Sequence, residues 1–423
     1  MDHFEVRDGR MFVEDVCLDE IADAVGTPVY VYSTATLERH AAVFRQAVAG
    51  LGRGDPLVAF AVKANPNGAV LATLGRAGLG ADVVSGGEVA RARAAGIAAD
   101  RILFSGVGKT AAEMRDGLEA GILQFNLESQ EEARLLSEVA VAAGRTADIA
   151  FRINPDVDAG THAKISTGRA DNKFGIPAAD ARAAYATAAS LPGLRVTGVT
   201  VHIGSQLFDL APLAAAFGRL GTLIGQLRAD GHHIELADLG GGLGVPYDPA
   251  LPPPPTPADY GAMVAQATAG WDLRLAFEPG RLIVGNAGVL LASVVRVKPG
   301  AEHPWVIVDA GMNDLIRPSL YDAWHDIRAV RPTGARWMAN VVGPVCESGD
   351  TFATAREMDQ VGEGDRVAFM TAGAYAATMA STYNSRPLTP EVLVSGSRWA
   401  VVRERQSLRE MIAAERRPDW LTA

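Results

Sequence analysis

Short apolar runs recur along the first two thirds of the chain, at positions 57–62, 81–84, 102–104, 122–125, 147–153, 196–203, 234–239 and 273–277. Their length and the breaker residues around them predict buried strands. Between them lie stretches rich in Ala, Glu and Arg with helical spacing of apolar residues, as at 87–95, 110–120, 128–143 and 178–189. Eight strands, each followed by a helix or a long loop, make the pattern of a (β/α)8 barrel. An open doubly wound sheet shares this rhythm, because a count of strands does not establish closure. Ahead of the repeats, a strand is predicted at 10–13 and a helix at 18–25, ended by Gly26 and Pro28. A further strand follows at 29–32, and Ser33 or Thr34 then caps a helix reaching residue 49. After Gly288 the pattern changes to β-rich runs at 289–297, 305–308, 337–342, 366–369 and 399–402, with no long helix among them. The predicted organisation is an N-terminal segment 1–28 packing on the β domain, a barrel 29–285, and a C-terminal β-rich domain 286–423. Two insertions interrupt the repeats. The polar loop 154–175 is expected to act as a lid around residues 162–173, and the proline-rich stretch 251–257 as an extended spacer.

Length and composition narrow the classes of protein. At 423 residues the chain exceeds what one core accommodates. Hydrophobic residues make up 48% and charged residues 21%, an ordinary globular mix. A net charge of −10 without a basic cluster argues against a nucleic-acid partner. No apolar run approaches the roughly 20 residues that span a bilayer, and the acidic N-terminus does not resemble a signal peptide. Cys17 and Cys346 cannot form a disulfide framework, so a cytoplasmic location is expected, with Cys17 as core filler.

Candidate chemistry gathers where the predicted barrel strands end, the rim that carries function in this fold. Lys63 closes the first strand in Ala59-Phe60-Ala61-Val62-Lys63-Ala64-Asn65-Pro66-Asn67. Either it snorkels to solvent, or burial depresses its pKa and makes it a nucleophile toward carbonyls. His202 and Ser205 close the sixth strand, Gly240, Gly241 and Gly242 follow the seventh, and Glu278, Gly280 and Arg281 follow the eighth. Consecutive glycines let backbone N–H groups approach an anion, although a plain tight turn has the same composition. Gly108-Lys109-Thr110 imitates the end of a phosphate loop, but Leu103 stands where that motif needs its first glycine, so a helix start is predicted there. A lysine, a phosphate cradle and an acid on one rim suggest pyridoxal 5'-phosphate, with Glu278 on the pyridine nitrogen and His202 on the ring face.

The motifs AFAVKANPN at 59–67, VHIGSQ at 201–206, DLGGGLG at 238–244, FEPGR at 277–281, MNDLIRPSLYDAWH at 312–325, GPVCESGD at 343–350, GAYAATMASTYNSRP at 373–387 and PEVLV at 390–394 resemble the diaminopimelate decarboxylase family. That family is in the barrel-plus-β-domain class of pyridoxal-phosphate enzymes, with ornithine and arginine decarboxylases and alanine racemase. The resemblance spans essentially the whole chain. It implies that Lys63 carries the cofactor, that His202 stacks on it, and that Ser205 with Gly240, Gly241 and Gly242 surrounds its phosphate. It implies that Glu278 pairs with the ring nitrogen, that Gly280 belongs to the cofactor site, and that Tyr375 contacts cofactor and substrate. Arg281, Arg317 and Tyr321 would hold the substrate carboxylate that does not react, and Glu347 would face the distal ammonium. Cys346 would be the acid that returns a proton to carbon. In the family Cys346 and Glu347 come from a partner subunit, which implies a homodimer. Two arginines suit a substrate that keeps a carboxylate, whereas a diamine-forming enzyme would need an acid there. Carboxynorspermidine, arginine and ornithine decarboxylases of the same fold stay open as alternatives, as does a catalytically silent cofactor-binding relative.

Overall fold

A computed structural model describes residues 2–158 and 173–421. The expected lid, apart from Lys173, lies outside the described residues. The chain divides into two compact units.

One unit comprises Leu37–Pro246 and Ala250–Val284. Its parallel strands run Leu57–Ala61, Gly80–Val83, Ile102–Phe104, Gln124–Leu127, Ala147–Asn154, Leu194–Val201, Leu236–Asp238 and Arg274–Phe277. The eighth pairs with the first, Ala276 opposite Leu57. The fourth pairs with the fifth, Phe125 opposite Ile149. The sheet is therefore a closed barrel, and the open-sheet alternative is excluded. Helices follow the strands at Gly68–Arg76, Gly86–Ala94, Ala111–Ala120, Gln130–Ala142, Ala181–Ser190, Ala211–Ala229, Pro257–Ala267 and Arg281–Val284. Several begin on a side chain that accepts an otherwise unpaired amide of the first turn: Asn67 from Ala69, Ser85 from Glu88, Ser129 from Glu132. Thr110 and Glu113 form a reciprocal capping box. Lys109 just before it is a buried anchor, donating to the carbonyls of Gly106 and Asn126 at 2.7 Å each and to Glu132 Oε1 at 2.8 Å. The proline-rich stretch leads into the helix Pro257–Ala267, capped by Thr256 and Asp259.

The other unit comprises Met1–Thr36, Tyr247–Pro249 and Gly285–Ala423. Its main sheet orders the strands Thr351–Asp359, Arg336–Val342, Trp305–Val308, Gly288–Lys298, Val29–Ser33, Glu391–Ser395 and Arg398–Arg403. Val29–Ser33 is thus a central strand, antiparallel to Gly288–Lys298 and parallel to Glu391–Ser395. The sequence division at residue 28 leaves this strand with the barrel; its hydrogen bonding puts it in the β unit. A small antiparallel sheet, Phe4–Arg7, Arg10–Val13 and Val16–Cys17, shares the core, where Met11, Val13, Leu18 and Ile21 pack with Val31, Leu291, Ala368 and Val394. Cys17 is half-buried at the start of the first helix rather than interior filler.

Candidate active site

Side chains alternate across a strand, so residues two apart share a face. In the barrel this pairs Gly80 with Asp82, Leu103 with Ser105, Gln124 with Asn126, Leu236 with Asp238 and Ala276 with Glu278. The later member of each pair is polar and buried. Hydrogen bonds show that four of them, Ser105, Asn126, Asp238 and Glu278, meet in the lumen. Asn126 Nδ2 donates to Ser105 Oγ at 3.1 Å and to Asp238 Oδ2 at 3.0 Å, and Ser105 Oγ donates to Glu278 Oε1 at 3.4 Å. Asp238 Oδ1 also accepts the Gly240 amide at 2.9 Å. Burial, then the charges of Asp238 and Asp82, pushes the Glu278 carboxyl well above the usual range. Asp238 is raised by burial too, and hydrogen bonds from Glu278 and the Gly240 amide oppose that rise. Glu278 therefore holds the proton and Asp238 the charge.

Lys63 stands in a 3₁₀ turn, Val62–Ala64, just beyond the first strand. Its side chain is 40% exposed and its Nζ lies 3.5 Å from Asp82 Oδ2. Two readings are open in the sequence for this strand-end lysine, snorkelling or burial; the structure shows it half-exposed over a buried acid. Neither Asp82 oxygen has a hydrogen-bond partner. Glu88 accepts the Val84 amide at 2.8 Å, and burial raises its pKa to about 7. Part of His202 stays open to solvent, yet desolvation, reinforced by Arg152 and Lys63, holds its pKa well below the usual value. Its Nδ1 accepts the Gly241 amide at 3.2 Å, which leaves the neutral ring's proton on Nε2.

The three glycines are demanded by close approach as well as by backbone angle. Gly240 and Gly242 have φ of +66° and +120°, where L side chains are strained. A Cβ on Gly240 would come 2.6 Å from the Val201 carbonyl oxygen, and one on Gly242 2.5 Å from that of Gly204. A Cβ on Gly241 would overlap the Glu278 carbonyl. Gly280 is the backbone acceptor that starts the helix Arg281–Val284. Arg281 is buried and donates to Ser205 Oγ at 3.2 Å. The barrel rim thus brings together Lys63, His202, Ser205, the glycine run, Glu278 and Arg281. Sequence reasoning missed Asp82, Glu88, Ser105, Asn126 and Asp238. For Asp82, Asn126 and Asp238 the signal was a polar residue inside an apolar run, as in Ala81-Asp82-Val83 and Phe125-Asn126-Leu127, whereas Ser105 and Glu88 stand outside such runs.

The remaining candidates stand in the β unit. Arg317 opens a short helix, Arg317–Tyr321, and is buried. Its guanidinium covers the Tyr247 ring at 4.3 Å, and its NH1 donates to His325 Nε2 at 2.8 Å. Tyr321 ends the same helix and is half-buried. Cys346 and Glu347 are exposed on a loop shaped by buried Asp350, whose carboxylate accepts the amides of Val345 and Met312 at 2.7 and 2.6 Å. Glu347 accepts a hydrogen bond from the Tyr383 hydroxyl, which holds that phenol's pKa up. Tyr375 has φ of +53°, an uncommon conformation for a bulky residue.

The barrel residues fit pyridoxal phosphate on three counts. The glycine run keeps the strand ends clear of side chains, a half-exposed amine stands 3.5 Å from a buried acid, and two buried acids are hydrogen-bonded to one another. A family profile described as "Pyridoxal-dependent decarboxylase, pyridoxal binding domain" matches residues 34–285, so the barrel is that of a pyridoxal-dependent decarboxylase. Over nearly the whole chain, the diaminopimelate decarboxylase of Zymomonas mobilis is 54% identical across 418 residues, 99% of each protein. That of Pseudomonas fluorescens is 50% identical across 418 residues, 98% of this chain and 99% of the other. Among solved structures, diaminopimelate decarboxylase from M. jannaschii in complex with L-lysine superposes with a TM-score of 0.94 at 37% identity, covering 99% of both chains. The Helicobacter pylori enzyme with L-lysine gives 0.90 at 39% identity, covering 94% of this chain and 98% of the other. The chain belongs to the diaminopimelate decarboxylase family.

Proposed function

We propose that this chain decarboxylates meso-2,6-diaminopimelate to L-lysine and CO₂, the last step of bacterial lysine synthesis, with pyridoxal phosphate as cofactor. The observation that carries the reading is the barrel rim, where Lys63 stands over Asp82 beside the glycine cradle and the proton-sharing pair Glu278–Asp238. Pyridoxal phosphate supplies an electron sink for the pair released when CO₂ leaves carbon. The protein supplies the rest. Lys63 would provide the amine that holds the cofactor's aldehyde carbon. Asp82 below it stabilises the ammonium form whenever that amine is released. The glycine run and Ser205 would line the side on which the phosphate sits, with Ser205 Oγ oriented by Arg281. Glu278 and Asp238 together carry one net negative charge and so favour a protonated ring nitrogen. His202, its pKa held well below the usual imidazole value, would offer an uncharged face to the ring.

Arg281, Arg317 and Tyr321 are assigned to the carboxylate that survives, Glu347 to the distal ammonium, and Tyr375 to cofactor and substrate together. Cys346 is the proton donor to the carbon vacated by CO₂; one proton in and one CO₂ out balance the reaction. Its exposure on a loop, with Glu347 beside it, supports a homodimer in which these two residues complete a partner's site. No helix among the described residues is long and apolar enough to cross a membrane; with both cysteines free, this supports a cytoplasmic enzyme. The test is product analysis after incubating holoenzyme with meso-diaminopimelate, arginine, ornithine and carboxynorspermidine. L-Lysine and CO₂ are expected from the first alone. CO₂ from another substrate and none from diaminopimelate would overturn the assignment.

A further inference from the structure

With Arg317 assigned to the surviving carboxylate, the histidine behind it takes on a role that rests on that assignment. A guanidinium has only donors, whereas a neutral imidazole has one donor and one acceptor. The partners around His325 therefore fix its state without reference to hydrogens. Its Nδ1 lies 2.9 Å from the Met370 carbonyl oxygen, which can only accept, so Nδ1 carries the proton. Its Nε2 lies 2.8 Å from Arg317 NH1, which can only donate, so Nε2 is the bare acceptor. The ring is neutral, 1% exposed, and packs edge to face with Tyr247 at 5.4 Å, the same ring that Arg317 covers. Arg356 NH1 donates to the His325 backbone carbonyl at 2.9 Å and ties the segment down from the other side.

We infer that His325 is a positioning residue for substrate: it aims the Arg317 guanidinium by accepting one of its N–H groups. The choice of residue type has a physical reason. A carboxylate in this place would neutralise Arg317 and compete with the substrate for it. A neutral imidazole fixes the guanidinium and leaves its charge intact. The His325 donor bond to Met370 fixes the tautomer in turn, as a carbonyl does for a metal-bound histidine.

Two substitutions separate the two ring nitrogens. In His325→Asn the amide nitrogen can replace Nδ1 toward Met370, but nothing reaches Arg317. In His325→Gln the longer side chain can place an oxygen where Nε2 stood. L-Lysine keeps the carboxylate assigned to Arg317, and 1,5-diaminopentane lacks it. With holoenzyme, His325→Asn is expected to weaken L-lysine binding and raise KM for diaminopimelate by ~10-fold or more, the size of a lost hydrogen bond to a charged group, with a smaller change in kcat. Binding of 1,5-diaminopentane should move by less than about twofold, since it makes no use of the aimed charge. His325→Gln should recover most of the L-lysine affinity. Where His325→Asn does not fold, His325→Met removes the acceptor at similar volume and takes its place. Equal loss of both ligands, or equal loss in the Asn and Gln variants, would make His325 a packing residue and overturn the inference. Arg317→Ala run alongside distinguishes the two levels. If it weakens L-lysine binding and His325→Asn does not, only the positioning role fails. If it leaves L-lysine binding unchanged, the assignment of Arg317 fails and the positioning role with it.

Discussion

Single residues at the barrel rim carry charge states that composition could not foretell. Glu278 and Glu88 are the clearest. If Lys63 holds the cofactor, borohydride reduction of the wild-type holoenzyme should fix cofactor mass on the peptide containing residue 63. Lys63→Ala should give no such adduct; an adduct on the variant, at any lysine, would sink the assignment. Glu88 bears on stability. Burial raises its pKa from 4.5 to about 7, so its proton stabilises the folded state. That contribution is complete below the ordinary carboxylate value and is lost as pH rises through about 7. In protein stripped of cofactor, Tm should therefore fall from pH 4.5 to pH 7 more steeply in wild type than in Glu88→Gln. Parallel profiles would show that Glu88 is not the group responsible. Glu278 and Asp238, also raised by burial, remain in the variant, so some slope should persist.

Elements were legible wherever local pattern and burial agree. All eight barrel strands were found from apolar runs, because a parallel strand buried on both faces needs nothing else. The helix Leu18–Val25 and the strands Arg10–Val13, Trp305–Val308 and Arg366–Phe369 have the bounds the sequence predicted. The strand Thr351–Asp359 was not predicted, because its residues alternate polar and apolar only loosely and it gains its bonds from distant Arg336–Val342. The strand pattern did not disclose the inner acids either, since one Asp in an apolar run looks like an interruption until the barrel closes around it. Lys109 shows the same limit. Its three acceptors come from Gly106, Asn126 and Glu132, which only the fold assembles. Removing a buried, paired lysine strands its partner charge at a cost of about 3–5 kcal/mol. Lys109→Ala should lower unfolding free energy by about that amount in denaturant titration, while the turnover of the enzyme that remains folded is retained. A change under about 0.5 kcal/mol, the range of ordinary surface substitutions, would show that the anchor is dispensable.

For the whole molecule, the proposed sharing of sites between subunits has a direct consequence. Lys63→Ala and Cys346→Ala should each be nearly inactive, the latter by about 10²–10⁴-fold in kcat, as for loss of a positioned acid. Mixed and allowed to exchange, they form heterodimers in which one site keeps both residues and the other keeps neither. Random exchange makes half the dimers mixed, so recovery should approach about a quarter of wild-type sites by that count. Heterodimers proven by mass spectrometry yet inactive would place Lys63 and Cys346 of each site on one chain.

The strand Val29–Ser33 lies between Gly288–Lys298 and Glu391–Ser395, so its neighbours are made long after it is. On a ribosome adding about 5–20 residues per second, the apolar Val29-Tyr30-Val31-Tyr32 waits on the order of 10–50 s for its first partner and longer for its second. During that interval it is a strand with two open edges on a nascent chain, while all eight barrel strands are made before its first partner. The order of synthesis thus makes the β unit the last part of the protein to fold and its first strand the segment most in need of protection by a chaperone.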